Sequence, residues 1–181
     1  LYNDGVQTVI VVSSQFGSEE LGLDMSILTT VILMVQFVAF GGSLIFNYLA
    51  KVLNTKRAII ISILIWMVTL IYAFGFLQDQ TGFYILGGVI GLVLGGIQAL
   101  SRSLFSRLIP PGKEAEYFGV YEISERGTSW IGPLLFGLTL QLSGSYRLAI
   151  LSLILFFALG LFFLIKLNVS KVVKEAVRGR G

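Results

Sequence analysis

Residues 84–103 read YILGGVIGLVLGGIQALSRS. No charge falls between Asp79 and Arg102. That run is long enough to cross a bilayer, because a hydrocarbon core of about 30 Å takes about 20 residues at a helical rise of about 1.5 Å. The stretch therefore predicts a membrane-spanning helix. Gly87, Gly91 and Gly95 recur four residues apart, with Gly88 and Gly96 beside them. One helix face thus lacks side chains and admits another backbone closely. Such a face serves tight packing, or a surface on which a gate slides or bends.

Further uncharged runs lie between Asp24 and Lys51, between Arg57 and Asp79, and between Arg147 and Lys166. Two more apolar runs carry polar interruptions. One follows Asp4 to Gly17; the other, Tyr117 to Leu142, contains Glu122, Glu125 and Arg126. The sequence predicts an all-α membrane protein of six transmembrane helices, at about 1–17, 25–50, 58–77, 82–107, 114–141 and 146–167, forming one domain over 1–167. A basic cytoplasmic tail is expected at 168–181. The runs lack the alternation of period two that a transmembrane barrel needs. Composition agrees: of 181 residues, 55% are hydrophobic and 13% charged, against roughly 25% charged in soluble domains. Mean hydropathy is +0.87. Three helices precede LQDQTG at 77–82 and three follow, so the two triplets would run in inverted orientation.

The basic residues fix the orientation. Lys51, Lys56 and Arg57 follow the second helix, Arg102, Arg107 and Lys113 the fourth, and Lys166, Lys171, Lys174, Arg178 and Arg180 the sixth. Arg147 alone lies at the other side, with Arg126 inside a helix. The first group is therefore expected to be cytoplasmic, and the loops with Glu19, Glu20, Asp24 and Asp79 external. The net charge of +3 expresses this sidedness and is no nucleic-acid footprint. The tail either rests on anionic headgroups or is solvated. The end of the fourth helix and the start of the fifth are charged to suit their dipoles, with Arg102 and Arg107 at the one, Glu114 and Glu116 at the other. Pro110 and Pro111 fix the turn between them.

Candidate functional residues are those that are polar where the membrane is not. Counting from an external end at Phe16 or Gly17 puts Asp4 on the order of 18 Å down, near mid-membrane. A carboxylate there is costly unless paired, protonated or facing water, which makes Asp4 the leading site candidate. Asn3 and Gln7 share one helix face, and Asp4 and Thr8 another. A helix that starts this deep implies a chain cut from a longer protein, and the missing initiator Met agrees. In the fifth helix Glu122 and Arg126 form an i, i+4 pair. Arg126 lies within about 10 Å of the cytoplasmic face, so it either snorkels or clamps a solute carboxylate. Gln36, Gln98 and Ser101 add hydrogen-bonding groups that join helices or line a cavity. The chain has no Cys and no His, which removes the commonest nucleophiles and the usual zinc and haem ligands. No convincing catalytic constellation remains, and no cofactor or metal is expected.

YNDGVQT at 2–8, LAKVLNTKR at 49–57, GGIQALSRSLFSRLIPPGKEAEYFGVY at 95–121 and GPLLFG at 132–137 together resemble the major facilitator superfamily. Within it they look most like the branch of autophagy-related protein 22, a vacuolar amino-acid effluxer, and its bacterial relatives. The resemblance implies the C-terminal half, helices seven to twelve, of a twelve-helix permease. The loop Lys51–Arg57 is similar to the superfamily's cytoplasmic gating motif, with Lys51 where Asp is usual and Asn54 where Gly is usual. GVYEISERGTSWIGPLLFG at 119–137 is similar to the Gly-Pro motif of superfamily antiporters, with Thr128 and Phe136 in place of two glycines. A kink at Pro133 with close packing at Gly132 and Gly137 is expected there.

The expected function is proton-coupled export of amino acids or similar small solutes by alternating access. Asp4 is the coupling group, Asn3 and Gln7 the cavity wall, and Arg126 with Glu122 the solute contact. The expected partners are membrane lipid, the N-terminal six-helix half, a small solute, and a proton or cation. An isolated half is expected to pair with itself. The localisation is integral and multi-pass, in a bacterial inner membrane or, in a eukaryote, the vacuolar membrane. A six-helix channel and a non-transporting assembly protein are the alternatives.

Overall fold

The computed structural model describes residues 2–109 and 112–167. The expected turn at Pro110 and Pro111 and the tail at 168–181 lie outside these residues. Helix α1 (Tyr2–Gln15) continues through a π-helical turn, Phe16–Glu20, into α2 (Met25–Leu53) and α3 (Thr55–Gly75). Then come α4 (Gln80–Ser106), α5 (Glu114–Thr128), α6 (Ile131–Ser143), α7 (Tyr146–Ser152) and α8 (Ile154–Lys166). Because α5 with α6 and α7 with α8 each continue one rod, six helical rods result, and no strand occurs among the described residues. Four rods are long and apolar enough to cross a membrane: Met25–Leu53, Thr55–Gly75, Gln80–Ser106 and Tyr146–Lys166. The first and fifth rods carry the acidic residues that line the cavity described below.

Where the boundaries differ from the sequence reading, local chemistry explains it. Asn54, at φ +83°, is the single residue joining α2 to α3 and turns the chain over. Its side-chain oxygen accepts the Lys56 backbone N–H at 3.0 Å, which caps α3 and lets it begin at Thr55 rather than 58. Asn is among the few residues besides Gly that suit positive φ, so the departure from the motif glycine keeps its backbone role. The fifth rod, expected to be continuous, breaks at Ser129 and Trp130. Pro133 has no N–H for the Ser129 carbonyl, so the helix stops and restarts with the proline inside the first turn of α6. Gly132 is tightly packed there, since a Cβ would collide with the Thr8 side chain, but Gly137 faces open space. The close packing expected at Gly137 is absent because no neighbouring helix reaches that face.

α3 is the centre of the core. Ile59, Ile63, Trp66 and Leu70 are buried, and the Trp66 ring stacks on Phe157 with centroids 5.5 Å apart. The most extensive helix pairing is α2 with α4. It follows from the glycine stripe: a Cβ at Gly91 would lie 2.8 Å from the Val35 carbonyl oxygen, and one at Gly95 would collide with the Ala39 carbonyl. From the other helix, Gly42 abuts the Leu92 carbonyl in the same way. Gly87 meets the Val31 side chain. Backbone therefore lies on backbone.

Each end of the bundle is tied by one cation. At the end expected to be cytoplasmic, Lys56 Nζ donates to the carbonyls of Ile165 and Leu167, at 2.9 and 2.7 Å, and caps α8. At the other end Arg147 pairs with Glu20 at 2.5 Å and donates to the carbonyls of Phe74 and Leu77, at 3.1 and 2.6 Å. One guanidinium thus joins the first, third and sixth rods. Its fork of fixed N–H donors suits three acceptors at once.

Candidate functional site

The site begins with three consecutive residues of α1 that fan out to two other helices, since successive side chains on a helix point about 100° apart. Tyr2 shares a 2.8 Å hydrogen bond with Ser101 Oγ of α4, while Ser101 donates to the Ile97 carbonyl at 2.5 Å. Asn3 Nδ2 donates to Glu125 Oε1 of α5 at 2.5 Å. Asp4, only 4% exposed, accepts from the Thr128 hydroxyl at 2.9 Å. The same hydroxyl lies 2.9 Å from the Ser124 carbonyl. It has one proton and three acceptors, the Glu125 carbonyl being the third at 3.5 Å, so the Asp4 bond can be made or released by a rotation about the Thr128 side chain.

Glycine contacts hold α1 against α8 at this level. A Cβ at Gly5 would lie 3.0 Å from both Phe156 and Phe157, and one at Gly160 would lie 2.8 Å from Tyr2. Phe156 stands midway along the Tyr146–Lys166 span, so Asp4, next to Gly5, lies level with the middle of that rod. Thr8 closes the turn by donating to the Asp4 carbonyl at 2.7 Å.

A cavity of about 470 Å³ opens beside these bonds, lined by Asp4, Gln7, Glu122, Glu125, Arg102 and Arg126 among others. The expected Glu122–Arg126 pair is present at 3.8 Å, but Glu122 also faces Arg102 of α4 at 3.6 Å. The two arginines are largely exposed and Glu122 about half, and ion pairs so exposed contribute little. A second cavity of about 300 Å³ has Gln7, Ser13, Ser14, Gln36 and Gln98 in its wall. Gln7 borders both cavities and links them.

Of the residues expected at the site, Asp4, Gln7, Glu122 and Arg126 come together at one cavity, and Asn3 supports it through Glu125. Arg102, expected at the cytoplasmic end of the fourth helix, lies in the last turns of α4 and reaches the same cavity. Lys56, expected to gate, is engaged at the end of α8. Lys51, Arg57 and Arg107 are exposed and border neither cavity. Glu125, Thr128 and Tyr2 were not singled out as site residues. The signal was there for two of them: Glu125 and Thr128 are three residues apart on α5, and so share the face turned to α1. Thr128, a departure from the motif glycine, supplies the hydroxyl that Asp4 accepts. Among the described residues no three metal-ligating side chains gather at one point.

Residues 1–177 match the family described as Vacuole effluxer Atg22 like. The chain belongs to that family. Among curated proteins, it is 39% identical over 160 residues to the uncharacterized MFS-type transporter YxiO of Bacillus subtilis, covering 88% of this chain and 37% of that protein. It is 31% identical over 189 residues to autophagy-related protein 22 of Kluyveromyces lactis, covering 97% and 38%. It is 30% identical over 190 residues to the Coccidioides immitis protein of the same name, covering 97% and 32%. The Atg22-like chain thus spans between 32% and 38% of the length of these relatives. The family and the Bacillus relative are described as an effluxer and a transporter, not as enzymes. With its apolar rods, this Atg22-like chain is an integral membrane protein. No solved structure matches it.

Proposed function

We propose that this chain is the C-terminal six-helix half of a secondary transporter of the major facilitator type. The half is built as a 3+3 inverted repeat, and the whole protein exports amino acids or similar small solutes in exchange for protons. The observation that carries this reading is Asp4: a carboxyl buried at mid-span, held by a hydroxyl of another helix, beside a cavity carrying both signs of charge. An ionisable group at that depth is too costly for packing alone, and it faces a solute path. Asp4 takes up and releases the coupling proton, and Asn3 and Gln7 shape the cavity wall. Arg126 and Arg102, loosely paired with Glu122, are free to turn to a solute carboxylate.

Binding near the midplane, between two halves that rock about it, is the arrangement alternating access requires. The exposed faces of α2 and α5 are where the N-terminal half docks, and an isolated half covers them by pairing with itself. A bacterial inner membrane is the proposed location, by likeness to the Bacillus relative. A channel is disfavoured because polarity concentrates in α1 and α5 instead of continuing through every rod.

The test is uptake of a mixture of radiolabelled amino acids by the full-length protein in proteoliposomes, with and without an imposed pH gradient. Accumulation that appears only with the gradient is the expected result. If no amino acid moves under either condition, the proposed cargo is wrong.

A further inference from the structure

The last rod leaves a crevice at the basic end of the bundle. Close approach of Gly160 to Tyr2 and of Gly5 to Phe156 draws α8 onto α1, and the stacking of Phe157 on Trp66 draws it onto α3. Among the described residues α8 has no comparably extensive pairing with α4 or α5. A space of about 360 Å³ is left there, walled by Leu104, Phe105 and Leu108 on one side and Phe163, Leu164 and Leu167 on the other. Tyr121 of α5 completes the wall, its ring 4.7 Å from that of Phe105, and no charged residue lines the space. At its inner end the Tyr2 hydroxyl is bonded to Ser101, which donates to the Ile97 carbonyl, so these polar groups satisfy one another. The wall therefore suits an apolar occupant. From Ser101 to Leu108, and from Gly160 to Leu167, the crevice follows each helix for about 10 Å. That is most of one leaflet's share of a hydrocarbon core about 30 Å thick. Phe163, on its outer edge, is 56% exposed.

The rim of this crevice is cationic. Leu108 follows Arg107 and Leu167 follows Lys166, and both cations are exposed. Lys56 is held at the same place, where two of its three N–H donors are spent on the carbonyls of Ile165 and Leu167. Cations around an apolar slot between spanning helices are the complement of a lipid with a negative headgroup. We infer that the crevice binds an anionic phospholipid, with one acyl chain between α4 and α8 and the phosphate held by Arg107 and Lys166. Lys56 adds to the positive field at the rim. The lipid joins α8 to α4 and α5 where protein contacts do not. A zwitterionic lipid offers the same chain but offsets its phosphate with its own amine, so the site prefers the anionic one. The inference is independent of Asp4 and of any cargo, since it needs only a chain that spans a membrane.

The test is native mass spectrometry of the full-length protein in detergent, titrated with phosphatidylglycerol or with phosphatidylcholine. Phosphatidylglycerol is expected to bind more tightly. Arg107→Gln and Lys166→Gln are each expected to weaken it about fivefold and to leave phosphatidylcholine unchanged. Lys51 is an exposed cation of α2 that borders no part of the crevice, so Lys51→Gln is expected to change either affinity by less than about twofold. Leu108→Trp fills the slot and is expected to weaken both lipids alike. The two charge substitutions lie at exposed positions and spare the core, so they decide the matter even where Leu108→Trp does not fold. Equal affinity for the two lipids, or equal weakening by Lys51→Gln and Arg107→Gln, overturns the inference and leaves only a general attraction to a basic surface. Displacement of phosphatidylglycerol by glycerol 3-phosphate, which has the phosphate and no acyl chain, also overturns it. So does cross-linking of a photoreactive group at position 108 to residues 168–181 in place of lipid, which would give the crevice to the chain's own tail.

Discussion

Between α2 and α4, Gly91 and Gly95 let the chains approach until a Cβ at either would meet the carbonyl of Val35 or Ala39. Between α1 and α5, contact is made by side-chain tips, Asn3 on Glu125 and Asp4 on Thr128. The first seam is built of backbone and dispersion contacts over a long apolar face, and neither protons nor solutes change it. The second consists of a few hydrogen bonds between polar side chains, beside a cavity of about 470 Å³. A transporter needs both kinds: a joint that holds while the protein rocks, and a joint that responds to what it carries.

The largest expected effect comes from breaking the glycine seam. Gly95→Val drives a branched side chain into the Ala39 carbonyl, and a loss upwards of about 3 kcal/mol, or failure to fold, is expected in detergent unfolding. Gly132→Ala is milder. There a Cβ would collide with the Thr8 hydroxyl at the edge of the polar seam, for a loss of about 2 kcal/mol. Adding Thr8→Ala removes the obstructing atom, so the double variant should recover much of that loss. If it does not, the Gly132–Thr8 contact is not what limits the approach of α6 to α1.

Thr128→Val keeps the shape of the side chain and deletes its donation to Asp4, for a loss of about 1 kcal/mol. Its transport phenotype should exceed its stability cost, unlike that of any glycine variant. The smallest effect is expected at Gly88, beside the stripe, where a Cβ meets nothing within 4 Å. Gly88→Ala should leave stability unchanged or raise it by up to about 1 kcal/mol, since Ala favours the helix. A large loss there would mean that glycine count, and not the facing carbonyls, explains the seam.

The contrast also separates what was legible in the sequence. Gly87, Gly91 and Gly95 announce a contact face by spacing alone, and the charge-free runs announce the rods, because both follow from one helix's own geometry. The partner of Asp4 was not legible, because Thr128 lies 124 residues away and only the fold brings it near. Glu125 and Thr128 share one face of α5 by their spacing, but only the fold shows that this face meets α1. Lys56 and Arg102 show the opposite error. Sorting cations by loop could not tell a lysine that caps α8 from an arginine that turns into a cavity.

The central claim is that Asp4 serves the responsive seam and not the holding one, and gradient-driven flux through Asp4→Asn tests it most directly. Asn is isosteric with Asp and still accepts the Thr128 hydroxyl, so packing is kept while the titratable proton is lost. In proteoliposomes of the full-length protein, the account predicts that Asp4→Asn loses accumulation driven by a pH gradient and retains counterflow of the same amino acids. Accumulation at the wild-type rate in Asp4→Asn would contradict it and make Asp4 a structural group.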